Sequence, residues 1–424
     1  MKHLKVMLVA ALFAAPFLSR ADEPQKVTFD AGGTLIMNGF GDRGDLDARE
    51  LPRWALLNSV QDQRSFGMSA RQSRLRATVG LPADGFLAGA TLKGFVEGDF
   101  AYDASTSDSV APRLRHYYIQ STWKNLSNLS LTIGQTWGVA GGAYFSESLA
   151  HWVLPRFAGA GFAFRRSPQV RLSSDVPVPG PVTFNVMAAA LTPGDTGSAK
   201  SNGPGNTSAF PNLEGRVSAA YKQEGKPLAE VGLWTHYGRE KYEIPVGGAV
   251  TYAQDSVAQS QAFGVDVRLT LPYVTVTGHA FQGKNLDVLA SIAGVSAVAG
   301  STTQGVIPDV TDPAHPKYTG MKTKGGFAQA QITPVKGLTL LAGMGVENPD
   351  DSTLKLSTDT IVPANMITRN TQYSAGTIVS LTSKWRVSLE ATRYLTQVSR
   401  NDPAHQNRDV IPATQFEMGS VVNF

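Results

Sequence analysis

The chain has no cysteine, so an oxidising compartment has nothing to cross-link, and neither thiol chemistry nor a thiolate metal site is open to it. Beyond residue 21 it also lacks any long apolar run, which excludes a helical membrane protein. Net charge is nearly absent too. Of the 38 Lys and Arg, three (Lys2, Lys5 and Arg20) lie in the first 21 residues, and without them 35 cations face 34 acidic residues. Overall charge therefore gives no reason to expect a nucleic-acid partner, and any electrostatic function rests on local placement. The seven histidines have no metal-ligand spacing. No Gly-rich phosphate loop or nucleophile elbow occurs, so no cofactor is expected. Helix signals are sparse and glycines number 42, which points to an all-β chain.

What is present begins with an export signal. Lys2 and Lys5 precede an apolar stretch from Val6 to Leu18, and Ser19-Arg20-Ala21 supplies small residues for cleavage. The stretch is shorter than the roughly 20 residues needed to span a bilayer. Residues 1–21 are thus expected to be a signal peptide and 22–424 a single domain.

From residue 33 onward, segments of about ten residues alternate in polarity, the per-strand signature of a transmembrane barrel. In Ala262–Leu271, Phe263, Val265, Val267, Leu269 and Leu271 share one face, while Gly264, Asp266, Arg268 and Thr270 share the other. Leu213–Lys222 and Gly180–Leu191 behave alike. A soluble sandwich would also alternate, but the connections separate the two. Short turns at 82–85, 223–226, 272, 333–337 and 382–384 take turns with long segments at 42–69, 101–110, 138–162, 192–211, 239–259, 283–321, 347–369 and 396–412. Tight turns at one rim and long loops at the other predict an antiparallel transmembrane β-barrel of about sixteen strands, with short periplasmic turns and long extracellular loops. In hydrocarbon every peptide group must be paired within the protein, so the sheet must close. Gly33–Gly41 and Thr414–Phe424 are the expected closing partners, the second ending on an aromatic residue, as outer-membrane sorting signals do. The apolar segment Leu286–Ala299 is either a helix inside its loop or disordered.

Five motifs follow one another at hairpin spacing: Arg71-Gln72-Ser73-Arg74-Leu75, Leu92-Lys93-Gly94-Phe95-Val96-Glu97-Gly98-Asp99-Phe100, Arg113-Leu114-Arg115-His116-Tyr117-Tyr118, Gly134-Gln135-Thr136-Trp137 and Arg166-Ser167-Pro168-Gln169-Val170-Arg171. As an ordered set over residues 70–173 they resemble the DcaP-like outer-membrane porins. That resemblance implies a homotrimer in contact with outer-membrane lipids, in which the loop matching 138–162 folds into the pore and narrows it.

Side-chain alternation places Arg74 and Arg76 on the face of Gln72 and Thr78, opposite Leu75, Ala77 and Val79, and turns Lys93, Glu97 and Asp99 to the same wet side. The segment holding Arg113, Arg115 and Tyr117 has mixed faces. The arginines are assigned inward, because charge on the lipid side costs about 2–4 kcal/mol near the midplane. Arg171 shares the parity of Arg165, and Arg166 has too little context to orient. Arg74, Arg76, Arg113, Arg115 and Arg171, with Lys93, are expected to form a cationic wall for small anionic or polar solutes such as carboxylates, which guanidinium groups can hold in a bidentate fork. The plainer alternative pairs them with Glu97 and Asp99 as barrel-wall chemistry. Glu147, the single acidic residue of 138–162, either faces that wall or is a solvated loop carboxylate. Asp42, Asp45, Asp47 and Glu50 do not have EF-hand spacing. Trp123, Trp137, Trp385 and Tyr221 are expected in an interfacial aromatic girdle. A passive channel is the leading expectation, ahead of an adhesin or receptor barrel and of a barrel enzyme.

Overall fold

The structure is a computed structural model that describes residues 27–57, 63–101, 111–193, 204–246, 251–297, 305–309, 317–350, 365–399 and 410–424. The expected signal peptide lies outside the described residues. In chain order the strands are β1 (Thr28–Arg43), β2 (Arg64–Ser69), β3 (Arg74–Leu81), β4 (Thr91–Asp99), β5 (Arg113–Trp123), β6 (Leu129–Trp137), β7 (Arg166–Pro177), β8 (Val182–Leu191), β9 (Asn212–Gln223) and β10 (Lys226–Val246). They continue as β11 (Thr251–Thr270), β12 (Val274–Lys284), β13 (Val306–Asp309), β14 (Lys317–Gly320), β15 (Lys322–Val335), β16 (Leu338–Pro349), β17 (Met366–Ser380), β18 (Trp385–Ser399) and β19 (Val410–Asn423).

All but the small β13–β14 hairpin belong to one 17-stranded antiparallel sheet that closes on itself. β2 and β3 lie end to end along β1, which pairs with β3 through Thr28–Thr34 and with β2 through Asn38–Arg43. Counting them as one broken strand gives the sixteen strands expected. Closure is made by β1 and β19, in register from Thr34↔Asn423 to Arg43↔Thr414. Gly33 N donates to Phe424 O at 3.0 Å and Phe424 N returns a bond to Gly33 O at 3.1 Å, so the β1–β19 ladder runs through Phe424 and the sheet closes into a barrel.

The distribution of polarity separates this barrel from a soluble sandwich. Its exposed side chains include Leu233, Phe263, Leu389 and Phe416, whereas Asp266, Gln329, Glu347, Thr392 and Gln415 are buried. An exterior of large apolar side chains is unfavourable in water and favourable in lipid, where each Leu or Phe contributes about 1.5–3 kcal/mol. Two-residue turns tighten one rim: Glu224 and Gly225 both have positive φ, 51° and 76°, the geometry that matches the twist of the strands they join.

Several segments depart from expectation: β2 (Arg64–Ser69) lies within the expected loop 42–69, and β13 and β14 lie within 283–321. Residues 239–246 and 251–259, expected within a loop, are paired strand, with β10 running to Val246 and β11 starting at Thr251. Residues 286–297 form a buried, mostly irregular segment with one 3-10 turn at Asp287–Leu289; residues 298 and 299 lie outside the described residues. Ile292, Val295 and Ala297 pack with Trp54 of the first loop and with Ile367 and Val398 of the wall.

Candidate functional site

Gln72, fully buried where the chain passes between β2 and β3, holds the loop that enters the barrel. Its Nε2 donates to Ala150 O at 2.8 Å, and its Oε1 accepts from Trp152 N and Val153 N at 2.8 and 3.0 Å. The loop, residues 138–165, is fixed to other strands by the same logic of buried side chains satisfying loop backbone. Glu214 on β9 accepts from Val139 N and Ala140 N at 2.6 and 3.0 Å. Gln329 on β15 exchanges two bonds with the backbone of Glu147, and Gln372 on β17 accepts from Phe157 N. Glu390 on β18 accepts from Leu149 N at 2.9 Å and from Ser148 Oγ at 2.7 Å. The buried Arg156 bridges Glu390 and Glu417, both at 2.8 Å, and His151 Nε2 lies 2.9 Å from Glu417 Oε1. Burial opposes the charge on Arg156, but Glu417 and Glu390 outweigh it and raise the hold of the guanidinium on its proton. The loop thus crosses the lumen and is docked to the opposite wall.

Glycine makes the docking close. A side chain at Gly161, where φ is +95°, would collide with the backbone of Gly326 on β15. Phe157 lies over Gly343 and Gly345 and stacks on Phe327 at 5.4 Å.

Facing the near side of this loop, the inner surfaces of β3–β7 carry the expected arginines. Asp99 accepts two bonds from Arg113, at 3.0 and 2.7 Å, and one from Arg115 at 2.8 Å. Glu97 accepts from Arg115 Nε at 3.1 Å and lies 3.6 Å from Arg74 Nη1. Arg74 also donates to Trp152 O of the loop. The mixed faces of β5 have a local cause. Glu97 pairs with His116 while Gly98 pairs with Leu114, so Arg115 is the extra residue of a bulge. Arg113 and Arg115 both face inward, as do His116 and Tyr118 beyond the bulge, while Leu114, Tyr117 and Ile119 are exposed on the outside.

Arg76, directly opposite Glu97 in register, is exposed. Lys93 Nζ lies 5.3 Å from the ring centre of Phe95. Lys93, Gln120, Thr132 and Arg171 follow one another across β4–β7 in a single row. Among the described residues Arg76, Lys93, Arg166 and Arg171 form no ion pair. Arg166, which could not be oriented from sequence, sits 5.3 Å from the Trp137 ring beside Arg115. The buried Nε atoms of Arg74, Arg166 and Arg171 have no acceptor among the described residues. This wall therefore carries more guanidinium groups than Glu97 and Asp99 can neutralise.

The structure brings Glu147 to Arg386 on β18, 3.2 Å away, rather than to Arg74 or Arg113. A second charged group, not singled out from sequence, lines β9–β11. Arg216 bonds Asp266 and Glu230, and the ring of loop residue Tyr144 lies 5.9 Å from the Arg216 guanidinium and 5.6 Å from that of Arg268. Burial, reinforced by a hydrogen bond to Glu230, raises the Tyr144 hydroxyl above its ordinary range. The inward parity of Arg268 beside Asp266 was the signal for this group. Trp385 and Tyr221 are exposed at strand ends as expected of a girdle, but Trp123 is buried and Trp137 packs on loop residue Phe145 at 4.9 Å.

The acidic residues of the first loop serve separate partners: Asp42 accepts from Ser65, Asp47 from Arg53 and Trp54, and Glu50 from Arg71 and Gln72. Among the described residues no group of three His, Asp or Glu could hold a metal ion. Glu214, His236 and Ser260 do form a relay, with His236 Nδ1 3.1 Å from Glu214 and Nε2 3.1 Å from Ser260 Oγ, in the order of an acyl-transfer triad. Ser260 is only 1% exposed, however, and Glu214 is already bound to the loop backbone. The relay fastens the start of the loop.

A closed sixteen-stranded barrel with one loop folded across its lumen can be compared with known proteins. No family model and no curated protein matches the chain. Among solved structures it superimposes on the outer membrane channel DcaP of Acinetobacter baumannii with a TM-score of 0.61 and 13% identity, covering 96% of this chain and 100% of that one. The fold is that of the outer-membrane porins. An anion-selective porin from Comamonas acidovorans gives a TM-score of 0.56 at 10% identity, over 94% of this chain and 100% of that chain. The trimer form of OmpT, an outer membrane protein of Vibrio cholerae, gives 0.54 at 13% identity with the same coverage. Porin folds of this strand number leave room for an aqueous channel, and here the docked loop occupies part of it.

Proposed function

We propose that this chain is a passive outer-membrane diffusion channel for small hydrophilic solutes, with a preference for anions such as carboxylates. The single observation that carries the reading is the surplus of cationic side chains on the inner face of β3–β7. Arg76, Lys93, Arg166 and Arg171 have no described carboxylate partner, while Arg74, Arg113 and Arg115 share Glu97 and Asp99. An anion crossing here exchanges hydration for charge-assisted hydrogen bonds at several weak sites in succession, which permits entry without trapping. The anion-selective porin among the similar structures supports this reading, and the trimeric form of OmpT supports assembly as a homotrimer.

The test is reconstitution into planar bilayers. Stepwise conductance is expected, with chloride more permeant than potassium. A silent barrel would overturn the channel and favour an adhesin or receptor whose interior is closed.

A further inference from the structure

We propose that the outer surface of β10–β16, at the long-loop rim, seats a phosphorylated acyl lipid of the outer leaflet: its phosphates on Lys284, Lys322 and Lys324, one acyl chain in the apolar furrow beneath.

Strand pairing places Tyr237, Gln261, Lys284 and Lys322 in one outward row, and Thr235, Phe263, Gln282, Lys324 and Asn348 in the next. Lys284 and Lys322 are directly opposite one another. Like charges in that position destabilise a sheet unless something neutralises them. Among the described residues none of the three lysines forms an ion pair, and Asp350 is the one carboxylate lining the depression. A phosphate bridging the ammonium groups converts the repulsion into charge-assisted bonds.

Below these rows the surface turns apolar. The third row is Leu233, Val265, Ala280, Gly326 and Val346, and the fourth is Val231, Val267, Gly278, Ala328 and Met344. Small residues on β12 and β15 lie between larger ones on β11 and β16, so a furrow runs from the lysines toward the middle of the barrel wall. Two depressions that share Phe263, Gln282, Lys324 and Asn348 mark it, with volumes of about 990 and 570 Å³. The head of the site is cationic and its tail apolar, which matches an amphiphilic anion lying along the bilayer normal. Tyr237 in the first row suits the interfacial level at which a lipid headgroup sits. A second copy of the barrel would instead set its own charges or apolar wall against the lysine row.

The site lies outside the lumen, so it rests on the chain spanning an outer membrane and not on solute preference. The test uses the full protein in detergent and native mass spectrometry with a diphosphorylated glucosamine disaccharide acyl lipid. Its deacylated headgroup and phosphatidylethanolamine serve as comparisons. Saturable binding of the phosphorylated lipid is expected. K284Q/K322Q/K324Q should weaken it on the order of a hundredfold, given the attraction of each lysine for an anionic lipid surface. Ala280→Phe, which fills the furrow, should weaken the lipid and leave the headgroup unchanged. Neither set should alter conductance, and a heat-modifiable gel shift checks folding; K322R is the charge-preserving control. The proposal is overturned if the triple variant binds as the parent does, if phosphatidylethanolamine binds equally, or if the deacylated headgroup binds as tightly as the lipid. A protein that conducts but binds no lipid removes this site alone.

Discussion

Arg156 of the folded-in loop lies 2.8 Å from Glu417 on the last strand, with both side chains 2% exposed. The same guanidinium reaches Glu390 on the neighbouring strand, so one residue holds the loop to the wall that closes the barrel. Arg156→Ala leaves two carboxylates buried with reduced compensation, a change that typically costs about 3–5 kcal/mol. The loop, and not the closed sheet, is the part free to leave. Larger single-channel conductance with noisier open states is expected, and single-channel recording checks it.

Gly161→Ala should act in the same direction by a different cause. A Cβ there meets the Gly326 backbone at a positive φ, and such strain costs about 1–3 kcal/mol before any clash. Limited proteolysis of the reconstituted protein should cut within 138–165 in the variant and spare the parent.

These two residues also mark where sequence reading stops. Alternation in Ala262–Leu271 was legible because lipid on one side and water on the other impose opposite demands on successive residues. Strand number follows from the alternation of short turns with eight long segments, and the closing partners from the demand that the sheet close. The loop contacts of Arg156, Gln72 and Gln329 join residues far apart in sequence, and no local pattern encodes them. The bulge at Arg115 hid the parity of β5 because one inserted residue exchanges the faces of everything beyond it. Trp137 stood at a strand end, as a girdle residue would, and only the docked loop reveals it as a lumen residue. Leu286–Ala297 was apolar without periodicity because it is buried on all sides by other loops and wall.

Ser260→Ala separates the hydrogen-bonded relay from catalysis. Loss of one hydrogen bond to His236 should lower stability by about 1 kcal/mol, with conductance close to that of the parent. Neither the parent nor the variant is expected to hydrolyse ester or phospholipid substrates; serine-dependent hydrolysis by the parent would contradict the channel reading.

Ionic strength should tune selectivity. The screening length falls from about 10 Å at 0.1 M salt to about 3 Å at 1 M, so a preference set by wall charge weakens as salt rises. Permeability ratios measured at the two concentrations should differ, with the anion preference larger at the lower one.

The surplus of cationic side chains on β3–β7 over Glu97 and Asp99 is expected to choose the ion. Reversal potentials under a KCl gradient, for the parent and for Arg74→Gln combined with Arg76→Gln, test it most directly. The parent should reverse on the chloride side of zero and the double variant should move clearly toward potassium. A variant whose reversal potential coincides with the parent's would show that these arginines are barrel-wall chemistry and that selectivity arises elsewhere.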